Sequence, residues 1–573
     1  MLLPQEMKFM TRNKQNGAIT RLGMGVLALI AGVVVFGGLY AVQKVHQSKL
    51  ANGSAYVTST PIDNGGSTSS SPTAPATQLP AAPTGADTLT VSIVSFHGYV
   101  PAILANGGSL TTQRGSLYDK LGLKLNLVVQ DDIPTLQTVF TAKTAQCAWR
   151  TSDFWAQEQP NLRNAKLDAR AVMVVDNTQG GDAIVARDPN VRTVEDLAGK
   201  KVALLQFTPS HGLLIDAINN SSLSAKKKAS IQMVFINADE GTAGVRAAFE
   251  SGKVDAIVLW DPDLSLAMRQ PGSHVVYSTK QATNLIYDVM VCNKEVLDSP
   301  QGHAAVQKFV AGWLEGVDYA RIHQDEAVTA LANSEQMFGA IRDKEGAAFI
   351  KGLFQNLVWT DLSDNARILG LTAGGTNHYE RVYHEFDQIY REAGALANPN
   401  SPVINASDSF DYSFVKSLLA RDTSAQQAAT VEKTNFTTTG ATVAQSSAAS
   451  LTKPVSVNFG TGSAELTKKG QEIIDKQIVP FLEDNGTAYI EISGNADSTG
   501  TEAVNRPLSL SRANAVKKYL VEQWEIPAAR LVVAGNGSSK PICKEPGTDD
   551  GLSLDDCRTA NRATRVAILS AAK

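Results

Sequence analysis

Thr208, Ser210 and His211 stand just after an apolar run that reads as a strand, Lys201 to Leu205, and before Leu213 to Ile215, where a helix should begin. Free backbone N–H groups and the helix dipole at such a junction favour an anionic ligand. A serine there serves equally as a plain N-cap. Phe96, His97 and Tyr99 follow the first alternating run, a position from which side chains reach a crevice at strand C-terminal ends. Ser152, Asp153, Phe154 and Trp155, then Asp176, Gln179 and Asp182, are expected in comparable loops, and Trp260 with Asp261 ends another strand. Asp182 also reads as a strand start, and Trp260 as packing. This chemistry is capture of a small solute. Turnover is not expected: no Ser-His-Asp or HExxH pattern is visible, and Gly199-Lys200 mimics a phosphate loop whose earlier glycine is replaced by Val194. Cys147 and Cys292 stand alone in apolar settings and read as buried thiols. His97 and His211 are too isolated for a metal site, and no cofactor is expected.

The elements that must position these residues follow from the hydrophobic pattern. Short alternating or apolar runs alternate with helical patterns, the βαβ rhythm of an open α/β sheet. Leu89, Val91 and Ile93 alternate, and further strands read at Leu125 to Val129, Lys201 to Leu205, Ile231 to Ile236 and Val254 to Trp260. Val306, Phe309, Val310, Trp313, Leu314 and Val317 keep helical spacing, a core stripe. The length of 573 residues suggests three or four units. With 52 basic against 56 acidic side chains there is no basic excess, so no nucleic-acid partner is expected. Four cysteines, none in a CxxC, rule out a disulfide scaffold and a zinc cluster.

Leu22 to Val42 carries no charged residue, and at 1.5 Å per residue it spans about 31 Å, enough to cross a hydrocarbon core. It is longer than a secretory signal's apolar region, and no small-residue cleavage site closely follows. Lys8, Arg12, Lys14 and Arg21 precede it while Lys44 and Lys49 follow, which favours a cytoplasmic N-terminus. The expectation is therefore a cytoplasmic segment 1–21, an uncleaved single-pass inner-membrane helix 22–42, and the bulk of the chain in the periplasm. Residues 43–87 are Ser/Thr/Ala/Gly/Pro-rich and expected to be a disordered linker. A second linker is expected at 422–452, separating a large domain at 88–421 from a small one at 453–573.

The large domain resembles the extracytoplasmic substrate-binding proteins of ABC transporters for nitrate, sulfonates and taurine. The resemblance runs through SFHGYVPAILANG (95–107), VVDNTQGGDAIVA (174–186), VEDLAGKKVAL (194–204), FTPSHGLL (207–214), SGKVDAIVLWDPDLS (251–265) and FDYSFVKSLL (410–419). It implies a type II periplasmic-binding-protein fold, two α/β lobes with the ligand between them, and an ABC permease as partner. Phe96, His97, Tyr99, Ser152, Asp153, Asp176, Asp182, Thr208, Ser210, His211, Trp260 and Asp261 are the candidate solute contacts. The related fold of pyrimidine-synthesising proteins carries a cysteine-rich patch that is missing here.

In the small domain, VSVNFGTGSAEL (455–466) reads as a strand into a loop, with a helix over Thr467 to Leu482. Strands at 488–500, 531–541 and 565–569 and a helix at 505–526 complete it. The helix stripe of Ala513, Val516, Leu520, Val521 and Trp524 is expected to face the core, with Pro507 in the first turn. Gly494, Asp497, Gly500, Asn505, Leu508, Ser509, Arg512, Ala513 and Val516 stand in the register of the OmpA-like peptidoglycan-binding domain, which this segment resembles. An α+β sandwich is implied, in which Asp497 pairs with the ammonium of diaminopimelate and Arg512 forks onto its carboxylate. Asn505 and Ser509 order the turn and helix start. Two departures stand out: Asn495-Ala496 before the aspartate, and Asn561-Arg562-Ala563-Thr564-Arg565-Val566 in place of Asn-Arg-Arg-Val, which leaves open the residue that fills the second basic role. Cys543 and Cys557 flank an inserted loop and could close a disulfide in an oxidising periplasm.

Together these features describe a membrane-anchored, wall-attached protein that captures a small, anionic solute for an ABC-type transporter or sensor. A second reading is a structural envelope tether whose solute fold no longer binds a transported ligand.

Overall fold

The computed structural model of the chain describes residues 87–430, 436, 443–444, 449–460, 462–545 and 553–569. The expected segments 1–21 and 22–42, and the linker 43–87 up to its last residue, lie outside the described residues. Among the described residues no helix is long and apolar enough to cross a membrane.

Four strands open the first lobe: β1 (Thr88–Ile93), β2 (Lys124–Val129), β3 (Cys147–Thr151) and β4 (Ala169–Thr178). The chain then crosses and builds the second lobe from β5 (Asp182–Ala186), β6 (Lys201–Leu205), β7 (Gln232–Ile236), β8 (Ala256–Trp260) and β9 (His274–Ser278). It crosses back for β10 (Tyr287–Asn293) and β11 (Leu357–Trp359). The sheet orders are β11-β4-β10-β3-β1-β2 and β7-β6-β8-β5-β9. Strands β3, β5 and β10 are buried along their whole length, as near-continuous apolar runs must be when helices cover both faces. This two-lobed α/β fold agrees with the βαβ rhythm of the sequence.

Four helices matter for the site: α1 (Ser152–Asn164), α2 (Pro209–Asn219), α3 (Pro300–Ile322) and α4 (His378–Glu392). The apolar stripe of α3 is buried as expected. Helix α4 packs on α1 of the first lobe and on α2 of the second, and so straps the two together.

The structure differs from the sequence expectations at several places. Ser152 to Trp155 form the first turn of α1, and Asp176 lies within β4, because both runs continue regular structure where loops were expected. Cys147 and Cys292 are not lone thiols: they face each other across β3 and β10 and are bonded, with S–S 2.00 Å and Cα–Cα 4.0 Å. A separation of 145 residues hides that pairing from the sequence. The segment expected as linker from 422 begins with a helix, α5 (Thr423–Ala429), whose Ala429 packs on Ala366 and Leu419.

The small domain is a four-stranded sheet, β12 (Ala449–Val455), β13 (Tyr489–Gly494), β14 (Leu531–Gly535) and β15 (Thr564–Leu569), in the order β12-β15-β13-β14. Its long helix α6 (Glu502–Trp524) lies across β13 and β14. Ala513, Val516 and Leu520 are buried, but Trp524 is 41% exposed and donates Nε1 to Asp475 Oδ1 at 2.8 Å. The helix starts at Glu502, so Pro507 lies in its second turn rather than its first.

The small domain is docked on the large one. Asn284 N–H and Nδ2 donate to Asp484 O (3.0 Å) and Glu483 O (2.7 Å), and Tyr277 Oη donates to Asn485 Oδ1 (2.9 Å). Arg381 of α4 pairs with Asp484 and lies 3.4 Å from Glu483.

Candidate functional site

Between the lobes lies a cavity of about 260 Å³, counting the part open to solvent. Phe96, Trp149 and Trp260 give it aromatic walls, Asp182 and Asp288 give carboxylates, and Thr151 and Thr178 give hydroxyls. Strand register explains the convergence. Thr151 pairs with Asp288, and Asp288 with Asp176, across β3, β10 and β4. In the second lobe Asp182 of β5 pairs with Trp260 of β8. Strand ends of both lobes thus meet at the crossings, where an open α/β fold places its ligand.

Asp288 is held firmly. Its Oδ2 accepts Tyr99 Oη and Trp149 Nε1, each at 2.9 Å. Burial outweighs those bonds and pushes its carboxyl up to about 7. Asp176 is fully buried and neither of its carboxylate oxygens has a partner. Burial, with the charges of Asp288 and Asp182 beside it, holds it well above the usual range. A Cβ on Gly98 would come within 2.1 Å of Asp176 Oδ2, so only glycine fits there. Asp182 is raised by burial and further by Asp288, Asp153 and Asp261. Asp153, in the first turn of α1, accepts Tyr390 Oη at 3.4 Å and is pushed up to about 6 by burial.

Several of the other expected contacts have structural duties. Thr208 Oγ1 donates to Leu205 O (2.8 Å), while Thr208 O accepts the N–H of His211 (2.9 Å) and Gly212 (3.1 Å). His211 Nδ1 accepts Phe207 N–H at 3.2 Å, and Ser152 Oγ accepts Tyr287 N–H at 3.3 Å. Burial pulls both His97 and His211 down to about 3, so both rings are neutral. Asp261 accepts Ser265 N–H (2.9 Å) and Asn356 Nδ2 (2.7 Å), a brace between the lobes. Ser210 Oγ is buried without a partner.

The ionisable side chains lining the cavity are Asp182 and Asp288, both raised by burial. No lysine or arginine lines the cavity. Arg150, next to Trp149 on β3, is turned to the other face and paired with Glu158 (Nη2–Oε1 2.7 Å). At the N-terminus of α2, Pro209 has no N–H and the N–H groups of His211 and Gly212 close onto Thr208 O, which leaves Ser210 with its buried, unpartnered Oγ.

Trp149, Thr151, Thr178 and Asp288 were not singled out in the sequence. Asp288 did carry a signal, a lone carboxylate in the apolar run YDVMVCN, since unpaired carboxylates are rarely buried without a role.

In the small domain Asp497 Oδ1 accepts Thr499 N–H at 2.9 Å, and Oδ2 pairs with Arg562. Arg512 donates Nε to Ser463 O at 3.1 Å, and its guanidinium lies 5.0 Å from the Phe459 ring centroid. Arg562 therefore is the basic residue brought to Asp497, while Arg565 is buried in β15 with Nε and Nη2 unpartnered. Asn505 Nδ2 donates to Thr499 O (2.9 Å), and Ser509 Oγ accepts Gly537 N–H (3.0 Å), both fixing the loops around the aspartate. Cys543 and Cys557 are bonded, with Cα–Cα 5.8 Å. Beside them Glu545 accepts Ser498 Oγ (2.6 Å) and Arg558 Nε (3.0 Å), tying the insert to the Asp497 loop.

Fold and sites define a two-lobed α/β binding domain joined to a smaller α+β domain. Residues 108–327 match the family described as NMT1/THI5 like, and residues 458–550 match the OmpA family. The chain thus carries an NMT1/THI5-like domain, related to sulfonate-binding proteins, followed by an OmpA domain. A putative aliphatic sulfonates-binding protein of Escherichia coli (strain K12) is 30% identical over 151 residues, 26% of this chain and 44% of that protein. Outer membrane porin F of Pseudomonas aeruginosa is 31% identical over 80 residues, 14% of this chain and 23% of that protein. The peptidoglycan-binding protein ArfA of Mycobacterium bovis is 30% identical over 112 residues, 20% of this chain and 32% of that protein. The chain spans less than half the length of these curated relatives. Among solved structures, the periplasmic aliphatic sulphonate binding protein of Escherichia coli aligns at TM-score 0.44 and 17% identity, over 56% of this chain and 97% of that one. The alkanesulfonate-binding protein of Xanthomonas axonopodis pv. citri aligns at 0.41 and 14% identity, over 58% and 100%.

Proposed function

We propose that this chain is a wall-attached solute-binding protein of the cell envelope. Its large domain captures a small solute for an ABC-type permease or sensor, and its OmpA domain grips the diaminopimelate of peptidoglycan. The apolar segment 22–42 anchors it in the inner membrane, with both domains in the periplasm. The observation that carries the solute reading is the cavity at the strand ends of both lobes, furnished with positioned carboxyl groups and aromatic side chains. Envelope localisation is supported by relatives whose names place them in the outer membrane or on peptidoglycan. Two disulfides also suit an oxidising compartment.

In the wall grip, Asp497 holds the ligand's ammonium with Arg562 as its standing partner, and Arg512 holds the carboxylate. The test is sedimentation of the full chain with purified peptidoglycan. The intact protein should pellet with the wall, and Asp497→Asn or Arg512→Ala should leave most of it in the supernatant. Pelleting unchanged by either substitution would remove the assignment.

A further inference from the structure

We infer that Glu545, on the insert closed by the Cys543–Cys557 disulfide, is a positioning residue of the wall site: it brackets the Asp497 loop to the helix that leads into Arg562. The inference rests on the reading of the OmpA domain as the wall grip, and it adds to that site a residue outside the motif of the domain.

The start of the insert is fastened to that helix, α7 (Leu554–Asn561). The disulfide joins Cys543 to Cys557 in the middle of α7. Asn561, 1% exposed at the end of α7, completes the seam. Its Oδ1 accepts the N–H groups of Ile542 (2.7 Å) and Cys543 (3.2 Å), and its Nδ2 donates to Cys543 O (3.0 Å).

From there the Glu545 carboxylate reaches in two directions. Towards α7, Oε1 accepts Asn561 Nδ2 at 2.8 Å and Oε2 accepts Arg558 Nε at 3.0 Å. Towards the loop, Oε1 accepts Ser498 N–H at 3.3 Å and Oε2 accepts Ser498 Oγ at 2.6 Å. Ser498 adjoins Asp497 and Asn561 adjoins Arg562, so one carboxylate fixes the backbone next to both members of the Asp497–Arg562 pair. That pair needs a brace. The Asp497 side chain is 8% exposed but that of Arg562 is 49% exposed, and an exposed arginine loses rotamer freedom to hold one geometry. With Thr499 N–H on Oδ1 and Arg562 on Oδ2, Asp497 keeps its remaining lone pairs in one orientation for an incoming ammonium.

The fold does not hang on this brace. Buried Asn495 donates Nδ2 to Ala563 O at 3.0 Å and ties the base of the same loop to the start of β15 independently. Removing Glu545 therefore loosens the site and leaves the sheet.

The test is sedimentation of the full chain over a range of purified peptidoglycan concentrations, read as the concentration that pellets half of the protein. Glu545→Ala should raise it about tenfold, the size of one lost hydrogen bond to a charged group, with unchanged circular dichroism. Ser498→Ala removes only the Oγ bond and should raise it about threefold. In an Arg562→Ala background Glu545→Ala should add little, because its effect runs through that pair. Asp497→Asn is the control on the wall reading: parental pelleting of that variant removes the wall assignment and this inference together. Weakened pelleting by Asp497→Asn with parental pelleting by Glu545→Ala overturns the inference alone. An equal Glu545→Ala loss with and without Arg562 overturns it too, since the role would then be merely structural. Should Glu545→Ala alter the circular dichroism, Ser498→Ala decides instead, and parental pelleting by that variant overturns the inference.

Discussion

Replacing Arg381 by alanine removes the guanidinium that α4 presents to the docked OmpA domain. Arg381 is paired with Asp484, lies 3.4 Å from Glu483 and 3.5 Å from Glu385, and has a side chain only 15% exposed. Asp484 is 3% exposed, so its carboxylate would be left buried without that partner. Breaking one side of a buried pair costs about 3–5 kcal/mol. Two features reduce that here. Lys453 also acts on Asp484, which burial already raises, and burial with neighbouring carboxylates raises Asp216 (to about 7) and Glu385, so protonation can relieve them. A loss of about 2–3 kcal/mol at pH 8 follows, which lowers a thermal transition by roughly 4–12 °C. The pH dependence has a definite sign. Acids raised in the folded state bind more protons folded than unfolded, so their contribution to stability falls as pH rises from about 4 to 7 and is least favourable above that. The Arg381→Ala defect should therefore shrink as pH drops from 8 to 5. The assay is differential scanning calorimetry of the full chain at both values, with Arg381→Ala, Asp484→Asn and the double variant. The pair should show a coupling energy above about 1 kcal/mol. Additive single effects, or a defect that grows on acidification, would refute the reasoning.

Two further outcomes follow from the cleft. Asp288→Asn keeps acceptors for Tyr99 and Trp149 but removes a carboxylate that burial pushes up to about 7. The unliganded variant should melt higher than the parent at pH 8, by about 4 kcal/mol for a carboxyl raised from 3.8 to about 7, and the gain should shrink to roughly 2 kcal/mol at pH 5, where the folded parent's carboxyl is protonated, and vanish only below about pH 4. Gly212→Ala places a Cβ 2.8 Å from Asp153 Oδ2 and 2.9 Å from both Phe386 Cε1 and Tyr390 Oη, where α2 meets α1 and α4. Overpacking there should cost about 1–3 kcal/mol, read as a lower melting temperature and weaker solute binding.

The sequence by itself determined the order of domains, the strand runs of both lobes, the core stripe of α3 and the register of the OmpA segment. These rest on local periodicity and short fixed spacings, which one chain segment carries whole. Even there, context overrode pattern: Trp524 reads as a core residue by spacing, yet lies at the exposed C-terminal end of α6, where Asp475 takes its indole N–H.

Only the tertiary structure decided what the cleft is made of. Trp149 and Asp288 are 139 residues apart and meet because β3 and β10 are antiparallel neighbours; Cys147 and Cys292 are joined by the same register. It also decided how the start of α2 is used. Thr208 to His211 carry the sequence signature of an anion-binding helix start, but whether those N–H groups are free depends on how the turn closes, and here it closes on Thr208 O. Charge at a binding site is a sum over strand ends from two lobes, and no local window of sequence contains that sum.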